Sequence, residues 1–300
     1  MPRTHDRDSF YKLATREVAK IVIEHKTIRW RTPLQFNDPF DTQTRLVANV
    51  EPEKYADRFI QRIEELAFGE EVPAYYDPAS TLHQQAMVMR RRTPMWQRRE
   101  ALDSLRPGAL QSAQRLAATL GEFSDELAAH LQHGRVFCMT ENVNNVVMWT
   151  HYAENHEGVA FKLRVLEDID HPFLIARPVS YSDEYICIGD SLRMADHFSR
   201  AAPIDLAALA WELVYLKHSD WNYEREWRCY WPLLHEPVGT GFIDPAQDPR
   251  IFEAIYLGCR MSEKDRAEIV DLAARCLPNS EIFIAKKSTT SFDLMFERIR

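Results

Sequence analysis

The densest group of side chains that could carry chemistry lies in residues 221–231, WNYEREWRCYW. Side chains alternate between the faces of a strand, so a strand here would place Glu224, Glu226 and Arg228 on one face. Successive same-face positions lie about 6–7 Å apart at a rise of roughly 3.3 Å per residue. Paired carboxylates suit acid/base catalysis or stabilisation of an oxocarbenium ion. The same groups, with Arg225, also fit a surface ladder of ion pairs of little energetic value.

Two further segments offer polar side chains to such a site. Residues 145–156, NVVMWTHYAENH, predict a short helix capped by the asparagines before it, with His151 and Tyr152 on one face. The first predicted strand, around residues 10–14, carries Tyr11 and Lys12. We therefore add these four residues to the candidates for the site.

The loop TPLQFNDPFD, residues 32–41, contains two prolines next to Asn37 and Asp38. Proline fixes φ, and Asn and Asp side chains bond their own backbone, so this composition predicts an ordered turn. Turn chemistry alone accounts for Asn37 and Asp38. The alternative is that the loop lines a pocket and that both residues contact a ligand.

Several common sites are not indicated by the sequence. His151 and His156 do not share a helical face, and no HExxH occurs, so we predict no metal site. There is no GxxxxGK[ST] loop, no GxGxxG fingerprint and no GxSxG elbow. The five cysteines are widely spread and odd in number, which favours reduced thiols over a disulfide framework.

The net charge of −8 argues against a chain that binds nucleic acid over its whole surface. One local exception is MRRRTPMWQRR, residues 89–99. A nucleic acid or an acidic partner could bind there, although a charge run also fits a solvated helix face. The residues concerned are Arg90, Arg91, Arg92, Trp96, Arg98 and Arg99.

The order of elements predicts an α+β fold with a mainly antiparallel sheet core. Strand-like and short helical segments alternate on either side of residues 51–134, which have helical periodicity and form a predicted helical insertion. We predict a single domain over residues 1–300. The polar N-terminus and the lack of any apolar run near 18 residues predict a cytoplasmic protein without a membrane span.

Seven motifs together resemble those of a widespread bacterial family of uncharacterised domains. They are YKL (11–13), FNDPFD (36–41), FCMTE (137–141), MWTHYAENHEGVAFKL (148–163), VSYSD (179–183), WNYEREWR (221–228) and AIYLG (254–258). They follow the family's order across nearly the whole chain, with 51–134 as the variable insert. Thr140 and Thr150 replace the serines that are usual in the family, and both keep a hydroxyl.

The chain also resembles ADP-ribosyltransferases, which have split β-sheets and three ordered elements. Those elements are a His or Arg on the first strand, a central Ser or Tyr, and a late Glu that is often part of an ExE pair. Here Tyr11/Lys12, Thr150–Tyr152 and Glu224–Glu226 occupy the corresponding places. The chain departs from the pattern because the first element lacks a clear His or Arg and the hydroxyl element lies in a predicted helix.

This resemblance implies cleavage of the N-glycosidic bond of NAD by a bacterial toxin or phage-defence effector. Glu226 would contact the ribose 2′-OH, Glu224 would orient or deprotonate the acceptor, Tyr152 would stack on nicotinamide, and Lys12 with Arg228 would steady phosphates. The implied catalytic residues are Glu226, Glu224, Tyr152 and His151. The implied NAD-contacting residues are Tyr11, Lys12, Asn37, Asp38, Trp149 and Arg228.

Two other classes of function remain open at this point. The first is a non-enzymatic stress or defence protein, in which aromatic residues such as Trp149, Tyr152 and Trp221 form a pocket for a ligand or partner. The second is a Mg²⁺-dependent nuclease that uses Asp38, Asp41, Glu224 and Glu226, although no spacing of metal ligands supports it.

Overall fold

The computed structural model describes residues 1–42, 45–232, 242–244 and 247–300. Its strands are β1 (Ser9–Ala14), β2 (Ile28–Trp30), β3 (Leu46–Asn49), β4 (Gly134–Thr140), β5 (Val159–Arg164), β6 (Arg177–Pro178), β7 (Ser180–Ser182), β8 (Ile186–Asp190), β9 (Leu216–His218), β10 (Glu226–Pro232), β11 (Phe242–Asp244), β12 (Phe252–Leu257), β13 (Glu281–Lys287) and β14 (Leu294–Arg298). Its α-helices are α1 (Arg16–His25), α2 (Pro52–Phe68), α3 (Thr81–Arg92), α4 (Arg98–Asp103), α5 (Arg106–Leu131), α6 (Val146–Tyr152), α7 (Ser191–Phe198), α8 (Leu206–Val214) and α9 (Glu263–Cys276).

The described residues form two compact units. The first comprises Met1–Thr42, His130–Asp183 and the described part of Val214–Arg300. The second comprises the described part of residues 43–129 together with Glu184–Leu213. The helices predicted for the insertion lie in the second unit, with β3 and β8.

An eight-stranded sheet organises the first unit, in the order β14-β13-β12-β5-β1-β4-β10-β6. Its pairs are antiparallel except for β12 with β13. This confirms the predicted α+β class and the mainly antiparallel core. No helix among the described residues has both the length and the apolar character that crossing a membrane requires.

The two faces of this sheet are covered by different helices. On one face α1 and α9 bury side chains such as Ile23 and Ile269 against Phe161 and Ile255. A threonine before the periodic run of Val18, Ile21 and Val22 predicts an N-cap at Thr15, and its hydroxyl does accept a bond from Val18 N at the start of α1. On the opposite face α6 packs its residues 148–149 against β5 and β12.

The sheet is split between β1 and β4. All six residues of β1 pair with β5, and all seven of β4 pair with β10. The register between β1 and β4, which lie wholly within the described residues, consists of Tyr11 opposite Thr140. Because the two strands separate beyond that pair, a cleft forms with walls from both.

The second unit has its own core, made by α2, α3 and α4. Ile63, Leu66 and Ala86 are among the buried side chains that pack together there. The unit also contains a partly buried ion-pair group, in which both Arg58 and Arg62 donate to Asp196. Burial opposes ionisation of Asp196, but the two arginines outweigh it and lower the pKa of this carboxyl to about 2.

Candidate functional site

A cavity of about 230 Å³ lies in the split of the sheet. Residues from β1 and β4 form two of its walls, and α1, β2 and α6 contribute others. Its polar lining residues include Tyr11, Lys12, Arg29, Arg31, Asn37, Asp41, Thr140, Tyr152, Lys217, Glu224 and Glu226. Apolar side chains such as Phe137, Phe161 and Met148 line the rest. We call this cavity the cleft.

One wall of the cleft is a buried group of five charged side chains, which we call the charged cluster. Its members are Asp41, Lys217, Glu224, Glu226 and Arg228, and none is more than 5% exposed. Three carboxylates and two cations give it a formal charge of −1. Burial of so many charges is favourable only if each is paired and hydrogen-bonded.

Arg228 is the centre of the charged cluster and uses all five of its N–H groups inside the protein. Its Nε and Nη2 donate to the two oxygens of Glu226 at 2.7 and 3.1 Å. Its Nη1 and Nη2 donate to the two oxygens of Asp41 at 2.7 and 2.6 Å, and Nη1 also donates to Val214 O. With no exposed surface and no spare donor, Arg228 holds the carboxylates and does not extend into the cleft.

Lys217 joins the three carboxylates from the opposite side. Its Nζ lies 2.6 Å from Glu224 Oε2, 3.2 Å from Glu226 Oε2 and 3.7 Å from Asp41 Oδ2. It also lies 4.7 Å from the centre of the Trp221 ring. Burial opposes the charged amine, but the attraction of Glu226, Glu224 and Asp41 outweighs it and raises the pKa of Lys217.

The strand predicted over 221–231 is wrong in its first half. Ser219–Glu224 forms a 3₁₀ helix, Arg225 follows in the left-handed region with φ of 43°, and β10 begins only at Glu226. Thr140 donates its hydroxyl proton to Glu224 O at 2.6 Å, which fixes the end of that turn. The two glutamates therefore meet at Lys217 because the chain turns between them, and not because they alternate along a strand.

The predicted alternative of a surface ladder does not describe the contacts either. The Arg225 side chain is 63% exposed and lies 3.9 Å from Glu141. Arg228, the second arginine of that alternative, is fully buried. The ion pairs of Glu224 and Glu226 are thus internal, and they face a cavity.

The two glutamates differ in their affinity for a proton. Burial raises the pKa of Glu226, but Arg228 and Lys217 overcome that effect and hold the pKa far below its usual range. Burial, together with the neighbouring charge of Glu226, raises the pKa of Glu224 above its ordinary value. Two adjacent carboxyls with pKa values moved apart are the arrangement that acid/base sites use.

Tyr152 and Lys12 both contact this wall. The Tyr152 hydroxyl donates to Glu224 Oε1 at 2.6 Å, and burial beside that carboxylate raises the pKa of the phenol. Lys12 Nζ reaches across the split from β1 and donates to Cys138 O at 2.6 Å. Burial lowers the pKa of the Lys12 amine and raises the pKa of the Cys138 thiol, so Cys138 is a poor nucleophile.

The other candidates lie at different distances from the cleft. Tyr11 and Asn37 line it, whereas Asp38 is buried outside its lining and bonds Phe40 N through Oδ1, as turn chemistry requires. Trp149 is fully buried in the core and donates to Val143 O. His151 is exposed and contacts Tyr223 at 3.2 Å.

Several polar residues of the cleft were not proposed as ligand-contacting or catalytic residues from the sequence, and four of them face this cavity beside the proposed ones. The sequence of residues 205–218 predicts a helix that would include Lys217, but α8 ends at Val214 and Lys217 lies in β9. The available signal was a lysine two residues after Tyr215, with no other Asp, Glu, Lys or Arg between Glu212 and Asp220. Thr140, Arg29 and Arg31 also line the cleft, and the two arginines alternate with apolar residues in the segment TIRWR (27–31).

The arginine-rich segment divides into structural and exposed side chains. Arg90 donates to the carbonyls of Leu66, Gly69 and Glu70, and Arg98 lies over the Phe68 ring. Arg91, Arg92, Trp96 and Arg99 are exposed. The binding of a partner here stays a prediction.

Fold and site together define an α+β protein with a split sheet and a buried charged cluster that faces a cleft. Residues 148–229 match the model of a family described as a protein of unknown function (DUF2971). The matched range contains Tyr152, Lys217, Glu224, Glu226 and Arg228. No curated protein and no solved structure matches the chain. In the described part of the chain, no group of three His, Cys, Asp or Glu is placed to hold a metal ion.

Proposed function

We propose that the cleft is the active site of an ADP-ribosyltransferase-like enzyme that cleaves the N-glycosidic bond of NAD. The observation that carries the proposal is that one cavity, in the split between β1 and β4, joins Lys12, Tyr152, Glu224 and Glu226. These residues come from the three ordered elements that the resemblance requires. They are widely separated in the sequence, so their meeting in one cavity favours a common role.

In this proposal Glu226 supplies fixed negative charge. Its depressed pKa keeps it ionised at neutral pH, and Arg228 and Lys217 hold its position. A preorganised anion stabilises the positive charge that develops on the ribose as the glycosidic bond breaks. An ionised carboxylate is also a strong acceptor for a ribose hydroxyl.

Glu224 is assigned the proton transfer. Its raised pKa brings it closer to neutral pH, where a general acid or base is most effective. The bond from C1′ of the ribose to the nicotinamide nitrogen breaks, and its electron pair leaves with nicotinamide. A nucleophilic hydroxyl, amine or water then bonds to C1′, and its proton passes to Glu224. Tyr152, bonded to Glu224, orients the carboxyl and offers an aromatic surface.

The volume of the cavity indicates which part of NAD it would enclose. Small-molecule pockets commonly span about 300–1,000 Å³, and the cleft has about 230 Å³. That volume suits the nicotinamide and its ribose, with the remainder of the dinucleotide lying along the open side. Apolar residues such as Phe137 and Met148 would exclude water from the reacting end.

The direct test measures nicotinamide release from NAD, and transfer of label from NAD to components of a cell extract. We expect Glu226→Gln to lower turnover by at least about 100-fold, because the charge that stabilises the transition state is removed. Glu253→Gln is the matched control, since Glu253 is partly buried and ion-paired with Lys162 outside the cleft lining. Circular dichroism and the melting temperature show whether each variant is folded.

Glu226→Gln also removes the charge that pairs with Arg228, so lost activity in this variant could reflect a disturbed structure. A second variant, at Glu224, therefore completes the test. Glu224→Gln cannot accept a proton, and we expect it to lower turnover while nicotinamide-containing ligands still bind. Full activity in folded Glu226→Gln and Glu224→Gln would refute the assignment of both glutamates. No nicotinamide release by the wild-type protein, with or without extract, would refute the enzyme.

The second candidate is a non-enzymatic ligand-binding protein, and one observation favours it. The carboxylates of the charged cluster already have donors inside the protein, as a structural wall of a binding pocket would. Binding of a nucleotide without turnover would support this candidate. Activity that EDTA abolishes would instead indicate metal-dependent cleavage, the third class considered from the sequence.

We further propose that the enzyme acts as a cytoplasmic effector of the toxin or phage-defence type, which modifies a macromolecule of the cell. Consumption of NAD, or modification of an essential acceptor, would slow the growth of an expression host. Growth should recover when Glu226→Gln is expressed at the same level. Unimpaired growth with active wild-type protein would argue against the effector role and leave the enzyme proposal intact.

A further inference from the structure

The cleft also contains three cationic side chains that are not members of the charged cluster. Lys12 from β1, Arg29 from β2 and Arg31 just after β2 all line the cavity. Arg31 is tied to β4 by backbone bonds to Val136 in both directions, at 2.9 and 2.8 Å. Its backbone is therefore fixed where the sheet splits.

Arg29 and Arg31 lie on the exposed side of the extended segment 28–31, in which Ile28 and Trp30 are buried. They are two residues apart, so their Cα atoms are separated by about 6–7 Å. Both side chains are exposed. Among the residues that the structure describes, neither guanidinium has an ion pair or a hydrogen-bond partner. This distinguishes them from Arg228, whose donors are all used.

Lys12 adds a third cation that can respond to an anion. Its amine bonds Cys138 O and lies 5.1 Å from the centre of the Phe137 ring, which leaves donor capacity unused. Burial lowers its pKa, and the neighbouring charge of Arg31 lowers it further. A bound anion would offset both effects and favour the ammonium form.

We propose that Arg29 and Arg31, with Lys12, bind the diphosphate of a nucleoside diphosphate at the open end of the cleft. Two guanidiniums without internal partners match the paired oxygens of a diphosphate, which arginine binds through two parallel bonds. The ligand would then run from this cationic end toward the glutamates. The inference deepens the proposed function, and rests on it only for the nicotinamide end of the ligand.

The test measures binding of ADP and of adenosine by isothermal titration calorimetry, because the two differ only in the diphosphate. We expect ADP to bind to the wild-type protein and adenosine to bind at least roughly tenfold more weakly. Arg29→Gln and Arg31→Gln should each weaken ADP binding roughly tenfold and leave adenosine binding unchanged. Arg260→Gln is the control, since Arg260 is exposed and outside the cleft lining.

The outcomes separate this inference from the proposed enzyme. ADP binding that depends on Arg29 and Arg31, in a protein that does not turn over NAD, would support the diphosphate site and refute the enzyme. NAD turnover with an unchanged KM in both arginine variants would support the enzyme and refute the diphosphate site. Failure of ADP to bind the wild-type protein, or equal binding of ADP by all variants, would overturn the inference.

Discussion

At the scale of single residues, the site depends on how five charges share a buried volume. Asp41 and Arg228 are 187 residues apart in the chain, and both oxygens of Asp41 accept from Arg228. Removing one member of such a group leaves a buried charge without compensation, which costs about 3–5 kcal/mol in measured cases. The cluster is therefore a structural requirement of the cleft wall as well as its electrostatic source.

The raised pKa of Glu224 predicts a dependence of stability on pH. In the unfolded chain the pKa of Glu224 returns toward its ordinary value of 4.5. Above that pH the unfolded chain releases a proton that the folded protein still holds on Glu224. The contribution of Glu224 to the free energy of unfolding is therefore fully present below its pKa in the unfolded chain. That contribution is lost as pH rises through its pKa in the folded protein. Glu226 has the opposite sign, because its pKa is lowered: its contribution to stability is full above the unfolded value of 4.5 and is lost progressively as pH falls below that value.

Urea unfolding of the wild-type protein and Glu224→Gln between about pH 5 and about pH 8 measures this effect. The wild-type free energy of unfolding should decrease with pH more steeply than that of Glu224→Gln, which cannot ionise. Glu253→Gln should follow the wild-type slope. Parallel slopes for wild type and Glu224→Gln would contradict a raised pKa at Glu224.

At the scale of elements, Asn145 connects the helix that carries Tyr152 to the turn that carries Glu224. Its Oδ1 accepts from Met148 N at 3.1 Å and caps α6. Its Nδ2 donates to Tyr223 O at 2.7 Å, next to Glu224 in the 3₁₀ helix. One side chain thus sets the position of two elements relative to each other.

Asn145→Ala should therefore lower the free energy of unfolding by about 1–2 kcal/mol, because it removes a helix cap and a hydrogen bond to a carbonyl. If the proposed enzyme is correct, turnover should fall further than stability alone explains, because Tyr152 and Glu224 lose their alignment. Asn144→Ala is the control, since Asn144 is exposed and its neighbour is the cap. Equal stability of the two variants in urea would show that Asn145 does not perform this role.

The sequence predicted individual helices and strands better than it predicted which residues of different elements contact one another. Helix α1 with its Thr15 cap and the capped helix α6 follow from local signals, which act within a few residues. The break at Arg225 does not, because a left-handed residue other than glycine is stabilised here by contacts such as Thr140 with Glu224 O. The pairing of Lys217 with the two glutamates and of Asp41 with Arg228 was also missed, since only the fold brings these residues together.

At the scale of the whole molecule, charge is distributed unevenly. The chain has a net charge of −8, yet the second unit exposes Arg91, Arg92 and Arg99 around Trp96, which is 78% exposed. Met95 beside it is 79% exposed. Exposed apolar side chains among cations are typical of surfaces that stack nucleic-acid bases and contact phosphates.

A single-stranded oligonucleotide is therefore the partner we predict for this surface, and fluorescence anisotropy with a labelled oligonucleotide tests it. Trp96→Ala should weaken binding about tenfold, because base–aromatic stacking is worth about 1–3 kcal/mol. Arg91→Gln with Arg92→Gln should reduce the dependence of log K on log salt by about 0.7 for each phosphate that the variant no longer neutralises. Trp211→Ala, at a tryptophan 42% exposed in the same unit, should bind like the wild type. Binding of an acidic peptide but not of the oligonucleotide would contradict the nucleic-acid assignment, since stacking at Trp96 requires bases.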